Sequence, residues 1–478
     1  MVNVVELLRF LPPVRLAFVA SLLLSAVAIF GTVTVARDAT LYFDTAQIFL
    51  DQGLEGAFSL FDWPWFSILL AATHWLTGLS LENCGYLWCT LLLAGTCALL
   101  VDCSQRLVPG SGYLAGLVAL AMPGFNQYRS DILREFGFWF FCVLALWLVG
   151  RWRERGGWSG ACLIQLAILM AAAFRLEAVF LVAALAIWSL TERSWARVLQ
   201  LNMLPVLAAL LALLMLSFSD LPLARLSYYQ QLLDPRHLLT SFNELAGHLA
   251  EGMRFKYSRE DAGLIIFLGM LGTLIVGGLA SLGPLALPLL CTGRQAWRFV
   301  ITSAGSYFSW AWLGYFVVLL VFFVHSQFMI SRYESLLAVL AVPAAVFALR
   351  DFRVRFPRAG RVLLAVIMLV MLDNVISLGA KKTQLVDAGH WMASNVAIGD
   401  AVYYDDVRIS YYAGRGALRQ AHLREVAMSA EHVDSYRYFF VEVDADAPWL
   451  QEWLQQHHKR ILASFANAKG DSVLVLGD

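Results

Sequence analysis

Charged residues are scarce in this sequence, and neither sign is in excess. Asp, Glu, Lys and Arg make up 15% of the 478 residues, and the formal net charge is zero. Because there is neither a polybasic run nor a positive balance, nucleic acid is excluded as a partner. Hydrophobic residues make up 60% and the mean hydropathy is +0.66, which excludes a soluble globular domain of this length. The composition therefore predicts a polytopic α-helical membrane protein.

Cysteine motifs and the signatures of soluble enzymes are also missing. The seven cysteines lie in or beside apolar segments and include no CxxC pair, which excludes a disulfide framework and a zinc site of the usual spacing. The motifs GxxxxGK[ST], GxSxG and HExxH are absent, and no GxGxxG stands between a strand and a helix. Nucleotide-binding loops, nucleophile elbows and zincin sites are thereby excluded. No cofactor is indicated with certainty, and the scattered histidines leave a divalent metal open.

Long apolar runs dominate what is present. A membrane-spanning helix needs about 20 apolar residues. The first run is longer than the core of a cleavable signal peptide, so we predict an uncleaved first span. Twelve runs come near the required length: 14–35, 63–78, 84–103, 111–124, 135–150, 158–174, 176–190, 198–218, 262–290, 300–324, 335–349 and 361–379.

Arginine placement tests whether every run crosses, because cytoplasmic loops carry the excess of Lys and Arg. If 63–78 crossed, the basic loops after it would fall outside; they are 151–157, 191–197, 292–298 and 350–361. This run is short and carries Trp63, Trp65 and Trp75 near its ends, which is typical of a helix at the headgroup level. We therefore predict eleven spans with a cytoplasmic N-terminus.

This topology divides the chain into a membrane domain and a C-terminal domain. Residues 1–379 form the membrane domain, with a first outer loop at 36–83 and a further outer loop at 219–260. Residues 380–478 change to shorter amphipathic patterns, including a hairpin that turns at Lys469-Gly470-Asp471. The sequence predicts a small α/β domain there, outside the membrane.

The first outer loop opens with an acidic residue at the end of the first span. Asp38 is followed by helical spacing, with Tyr42 on one stripe and Asp44 on another. A carboxylate at this depth is suited to accept a proton from an incoming hydroxyl or amine. The alternative is an interfacial anion paired with Arg37.

A second acidic stretch, "YRSDILREF", precedes the run at 135–150. Asp131 and Glu135 are four residues apart, which predicts a shared helix face, with Arg134 beside them. The alternative is a local ion-pair cluster at a helix start. Arg175 and Glu177 lie between two apolar runs, where a charge either marks a turn or faces a cavity.

A third polar stretch, "HSQFMISRYE", places His325, Arg332 and Tyr333 at the outer ends of two spans. Arginine offers a planar fork of donors that matches phosphate oxygens, and tyrosine adds a hydroxyl donor. Both features suit a lipid phosphate. The alternative is a snorkelling arginine with an interfacial tyrosine.

The order of these pieces resembles the GT-C superfamily of integral-membrane glycosyltransferases. It is most similar to the bacterial branch related to protein O-mannosyltransferases and lipid A aminoarabinose transferases, families 39 and 83. The pieces are Asp38 with Tyr42 and Ala46, "WPWFSILLAATHWLTG", "RSDILREFGFWFFCVLALWL", "AAAFRLEAVFLV" and "SRYESLLAVLAVPAAV".

The resemblance implies an inverting transfer of a sugar from a polyprenyl-phosphate donor to an acceptor at the outer face. Asp38 is the implied catalytic base, and the second acidic residue is Asp131 or, in another register, Glu135. The implied ligands of the donor phosphate are Arg332, Tyr333, Arg175 and Arg134. The implied substrate pocket is formed by Tyr42, Asp44, Trp63, Trp65 and His325.

Such an enzyme works in the bacterial inner membrane, with its active site and C-terminal domain on the periplasmic side. Its partners are the lipid-linked sugar, membrane lipids and a lipid, protein or polysaccharide acceptor. Three other classes stay open: a transporter or flippase for lipid-linked saccharides, an O-antigen ligase or polymerase, and a non-enzymatic membrane scaffold. The scaffold predicts that loss of Asp38 leaves function intact.

Overall fold

The computed structural model describes most of the chain, namely residues 11–192, 194–217, 234–302, 305–376, 379–416, 422–444 and 446–478. It is mostly helical, with a small sheet near the C-terminus. The predicted fold class is therefore confirmed. The first half of the described helices is α1 Pro13–Phe30, α2 Arg37–Leu60, α3 Trp65–Thr77, α4 Leu81–Leu107, α5 Gly112–Ala121, α6 Pro123–Asn126, α7 Glu135–Arg155, α8 Trp158–Phe174, α9 Phe180–Thr191 and α10 Trp195–Ser217.

The second half leads into the sheet. It comprises α11 Pro235–Gly252, α12 Lys256–Glu260, α13 Ala262–Leu282, α14 Ala286–Thr302, α15 Ser306–Ser326, α16 Ser331–Arg355, α17 Pro357–Asp373, α18 Thr383–Asn395, β1 Val402–Tyr404, α19 Val407–Tyr412, α20 Arg424–Ala427, β2 Tyr438–Val441, α21 Pro448–Gln456, β3 Arg460–Ala466 and β4 Ser472–Gly477.

Six segments in the described part of the chain are long and apolar enough to cross a membrane: Pro13–Phe30, Leu81–Leu107, Glu135–Arg155, Ala262–Ala296, Ser306–Ser326 and Ser331–Arg355. Helix α3, by contrast, has only 13 residues, or about 20 Å at the usual helical rise. That is shorter than a hydrocarbon core of about 30 Å, in agreement with an interfacial helix. The total of eleven spans and their orientation stay predictions.

Two sequence expectations differ from the structure. The run 262–290 is not one helix: α13 ends at Leu282, and a 3-10 turn spans Gly283–Leu285. Gly283 has a φ of 54° there, and Pro284 supplies no backbone N–H, so the helix stops. In the loop 219–260, residues 219–233 lie outside the described part, and 234–260 fold into α11 and α12.

The chain divides into two compact units. The helical unit consists of Cys89–Arg129, Arg134–Val375 and the described part of Met1–Ala26. Among the six long apolar segments, helix α16 has the largest buried share, with 72% of an apolar 18-residue stretch buried. It packs against α5, α6, α13, α14, α15 and α17. Its first turn carries Arg332 and Tyr333.

The mixed unit consists of Val27–Trp88, Ser130–Leu133 and the described part of Ile376–Asp478. Its sheet has the order β1-β2-β4-β3; β1 and β2 are parallel and the other pairs antiparallel. Successive strand residues face opposite sides of a sheet. One face accordingly buries Phe439 and Leu474 with α21, and the other buries Phe440 and Val475 with α18. Helix α19 packs against α2.

Candidate active site

In the mixed unit, Asp38 lies in the first turn of α2. Its side chain is partly exposed. The N-terminus of a helix carries a partial positive charge, which stabilises a carboxylate in the first turn. The N-cap residue, Ala36, makes no capping hydrogen bond with its side chain, and Asp38 is the acidic residue of the first turn.

Helices α2 and α3 enclose an aromatic group behind Asp38. The ring of Tyr42 is buried and packs edge-on against Phe66, with 5.2 Å between the ring centroids, and lies 6.2 Å from Phe61. Trp63 is half-buried and Trp65 is 43% exposed. Tyr42, Phe61 and Phe66 thus form an aromatic cluster.

The C-terminal segment of the same unit closes over α2. The Tyr412 hydroxyl accepts a hydrogen bond of 2.9 Å from the Val35 backbone N–H. The ring of Tyr411 is tilted against that of Phe43, with 5.7 Å between the ring centroids, and the Tyr411 hydroxyl donates to Glu82 at 3.3 Å. Burial and the Glu82 carboxylate raise the pKa of Tyr411 above its ordinary value, so this hydroxyl stays protonated.

A buried ion pair fixes this segment. Asp406 caps α19 by accepting from the Arg408 N–H, and its two oxygens accept from Arg408 Nε at 2.9 Å and Nη2 at 2.6 Å. Burial alone would raise the pKa of Asp406, but the Arg408 hydrogen bonds and charge lower it overall. Asp44, further along α2, lies against Gly416: a Cβ built there would meet its Oδ1 at 3.2 Å.

The helical unit contains a second set of charges, which we call the Arg175 network: Glu135, Arg175, Glu177 and Arg332. Arg175 Nη1 donates to Glu135 Oε1 at 2.7 Å, and Nη2 donates to Glu177 Oε1 at 3.0 Å. Arg332 Nε lies 3.2 Å from the same Glu135 oxygen. Glu135 and Arg175 are buried. Two carboxylates thus neutralise two arginines that are 157 positions apart in the sequence.

The surroundings of this network include a third arginine. Arg134 interacts electrostatically with both Glu135 and Glu177, so three arginines face two glutamates. The Arg175 guanidinium lies 5.0 Å from the centroid of the Tyr333 ring. Tyr333 is in turn held by its backbone carbonyl, which accepts from the Tyr315 hydroxyl at 2.9 Å. Three arginine side chains therefore lie together in one cluster of charged residues.

Close packing of α7 and α8 brings the network together. A Cβ added at Gly137 would overlap the Phe174 ring, so glycine is what allows Phe174 and the following Arg175 to approach α7. Arg175 itself has extended backbone, with a φ of −146°. It therefore leaves the axis of α8 and reaches across to Glu135 in the first turn of α7.

The predicted site residues fall into two groups, one in each unit. The group in the mixed unit is Asp38, Tyr42, Asp44, Trp63, Trp65 and Asp131. The group in the helical unit is Arg134, Glu135, Arg175, His325, Arg332 and Tyr333. The expected helix face shared by Asp131 and Glu135 is wrong, because α7 begins at Glu135 and Asp131 precedes the helix in a bend. His325 lies 5.7 Å from the His237 ring, measured between centroids.

Two buried charges were not among the predicted site residues. Arg129 donates through Nη1 to Ser25 Oγ at 2.9 Å and to the Ser21 carbonyl at 3.0 Å, and through Nη2 to Asn126 Oδ1 at 2.5 Å. Glu334 is buried on α16. Both residues lie in stretches that the sequence analysis identified as polar. Only the fold shows that these two side chains are buried. In the described part of the chain, no three His, Cys, Asp or Glu side chains are placed to hold a metal.

The long apolar helices followed by a small α/β region define a polytopic α-helical membrane protein. No protein-family model matches the chain, and no curated protein matches it significantly. Solved structures of ArnT from Cupriavidus metallidurans, a lipid A aminoarabinose transferase, do share its fold.

The ArnT crystal structure bound to undecaprenyl phosphate has a TM-score of 0.56 at 12% identity, covering 96% of this chain and 97% of ArnT. The apo ArnT structure has a TM-score of 0.57 at 13% identity, covering 96% of each chain. The predicted resemblance is confirmed at the level of the fold. It extends over nearly the whole chain, so it includes the C-terminal sheet as well as the helices.

Proposed function

We propose that this protein is a glycosyltransferase that moves a sugar from a polyprenyl-phosphate donor to an acceptor at the outer face of the bacterial inner membrane. The observation that carries the proposal is the Arg175 network, which holds Arg175 and Arg332 around Glu135 with Arg134 beside it, on a fold shared with a protein that binds undecaprenyl phosphate. The activity assay described below determines the hexosyl or pentosyl class of the sugar and the nature of the acceptor.

The leaving group sets the electrostatic requirement. When the bond between the sugar C1 and the phosphate oxygen breaks, the polyprenyl phosphate takes the bonding pair and gains negative charge. Arg332 and Arg134 supply fixed positive charge for it, and Arg175 holds Glu135 in place through the 2.7 Å ion pair. Tyr333 contributes a hydroxyl donor. Preorganised donors of this kind stabilise developing charge more than mobile ones do.

The acceptor requires a base. Asp38 accepts the proton of the acceptor hydroxyl or amine while the acceptor atom attacks C1 from the face opposite the phosphate, so the configuration at C1 is inverted. Asp131 is the second acidic residue of this scheme. Tyr42 with its aromatic neighbours shields the sugar from water, which strengthens each electrostatic interaction. Trp63, Trp65, Asp44 and His325 are the further residues that we propose to contact the substrate.

The test is transfer or hydrolysis of sugar from a panel of polyprenyl-phosphate monosaccharides by the purified chain in lipid nanodiscs. We expect Asp38→Asn to lower turnover by about 10²- to 10⁴-fold, the usual contribution of a general base, with donor binding kept. The matched control is Asp51→Asn, because Asp51 lies exposed on the same helix and only accepts hydrogen bonds from Gln47.

The outcomes separate the alternatives. Turnover that is unchanged in Asp38→Asn moves the base to Asp131 or Glu135. Equal losses in Asp38→Asn and Asp51→Asn point to damage of α2 and contradict a catalytic role. If no donor of the panel is turned over, the transferase proposal fails, and the transporter, ligase and scaffold interpretations return.

A further inference from the structure

Glu334 is a buried carboxylate that the proposed reaction does not use. It lies in the first turn of α16 and is 4% exposed. In the described part of the chain, its side chain forms neither a hydrogen bond nor an ion pair. A Cβ added at Gly277 on α13 would overlap both its oxygens. The carboxylate is therefore pressed against a helix backbone that offers it no donor.

The same carboxylate lines a cavity of about 550 Å³ between α13 and α16. The other lining residues are Gly272, Thr273, Val276, Gly277, Met329, Ile330 and Ser331. Val276 is 66% exposed and Ile330 is 39% exposed, so the cavity opens to the surroundings of the helices through an apolar rim. The Thr273 hydroxyl is already committed to the Gly269 carbonyl at 2.9 Å. Neither lysine, arginine nor histidine is among the lining residues.

This cavity is distinct from the Arg175 network. Successive residues of a helix are about 100° apart, so Glu334 and Ser331 share a face, whereas Arg332 points almost to the opposite side. The contacts agree, since Arg332 reaches Glu135 on α7 and Glu334 reaches Gly277 on α13. A ligand held by Glu334 therefore makes its own contacts, whatever the network binds.

An ionised carboxylate in apolar surroundings is costly unless a cation or strong donors accompany it. The described part of the chain supplies neither, although the carboxylate lies where molecules from outside can reach it. We propose that the cavity between α13 and α16 binds a membrane phospholipid through its primary ammonium headgroup, with Glu334 as the counterion. The apolar rim at Val276, Met329 and Ile330 receives the upper part of the acyl chains. This inference is independent of the proposed transferase activity.

The experiment uses the full chain in nanodiscs with equal amounts of phosphatidylethanolamine and phosphatidylglycerol. After transfer to detergent, native mass spectrometry counts the lipids that stay bound. We expect the wild type to retain phosphatidylethanolamine preferentially, and Glu334→Gln to reduce that preference by about tenfold or more, the size of a charge-assisted hydrogen bond. The matched control is Glu260→Gln, since Glu260 is exposed and pairs only loosely with Lys256 at 3.7 Å.

A second variant keeps the charge and fills the space: Gly277→Ala introduces the overlap with Glu334 and is expected to lower retention as well. If Glu334→Gln does not fold, competition on the wild type gives the answer. Dodecylammonium should displace phosphatidylethanolamine, and dodecanol and free ethanolamine should not. Unchanged lipid preference in Glu334→Gln, an equal loss in Glu260→Gln, or displacement by dodecanol at the same concentration would overturn the proposal. Displacement by free ethanolamine alone would make the ligand a soluble amine, which also contradicts it.

Discussion

Replacing Arg175 with alanine removes the centre of the Arg175 network. Arg175 contributes ion pairs to Glu135 at 2.7 Å and to Glu177 at 3.0 Å. At 2.7 Å two unit charges attract by about 6 kcal/mol at an effective dielectric constant of about 20. Much of this attraction offsets the desolvation of the buried groups, so it is not the net contribution of the pair.

The net cost follows from what the substitution leaves behind. Breaking a buried pair by removing one partner typically costs about 3–5 kcal/mol, because the other charge stays buried without compensation. Here Glu135 keeps Arg332 at 3.2 Å, and the Glu177 side chain is 26% exposed, so water compensates part of its charge. We therefore expect a loss of stability at the lower end, about 3 kcal/mol.

The assay is thermal unfolding of the full chain at one scan rate in one detergent, since irreversible unfolding makes the midpoint depend on both. The matched control is Arg106→Ala. Arg106 pairs with Asp102 at 2.8 Å, but its side chain is 44% exposed, so we expect a cost of only about 0–1 kcal/mol. If both substitutions lower the midpoint equally, or Arg175→Ala lowers it less, the network is not a buried, mutually dependent charge cluster and the reasoning is refuted.

Two further predictions concern stability. Asp406→Asn leaves the buried Arg408 without its counterion and should destabilise the C-terminal segment by about 3–5 kcal/mol, which faster hydrogen exchange in β1 and α19 would reveal. The pKa of Asp406 is lowered in the folded state, so its stabilisation is present above the unfolded value of 3.8 and is lost as the pH falls through the folded pKa. The wild type should therefore lose protection from exchange on acidification, and Asp406→Asn should not. The same acid dependence in the variant would contradict the assignment. Gly137→Ala should cost about 1–3 kcal/mol by overpacking against Phe174, whereas Gly116→Ala on α5, where a Cβ meets nothing within 4 Å, should be nearly neutral in the same thermal assay.

Local patterns predicted the elements whose signals lie within a few neighbouring residues. The amphipathic spacing after Asp38 becomes α2, and Lys469-Gly470-Asp471 joins β3 to β4 in an antiparallel pair. The break at Gly283 was missed, because an apolar run looks the same whether one helix or two helices pass through it. Its signal, a Gly-Pro pair, was present in the sequence.

The candidate site was predictable as a set of residue types and not as a set of contacts. Glu135, Arg175 and Arg332 were each singled out, yet helical spacing could only pair Glu135 with Asp131. The actual partners lie 40 and 197 positions away, and no local rule links them. Glu334 shows the same limit: its burial depends on Gly277 of another helix, and its own neighbours in the sequence are charged or polar.

The two arginines that contact Glu135 are suited to different tasks. Arg175 commits Nη1 and Nη2 to carboxylates, and its side chain is 9% exposed. The Arg332 side chain is 22% exposed and contacts Glu135 at the longer distance of 3.2 Å. Exchanging a carboxylate for a phosphate is less costly for the arginine that water already reaches, because less new desolvation is required. We therefore propose that Arg175 acts on the donor by holding Glu135, and that Arg332 is the side chain through which donor affinity and protein stability can be separated.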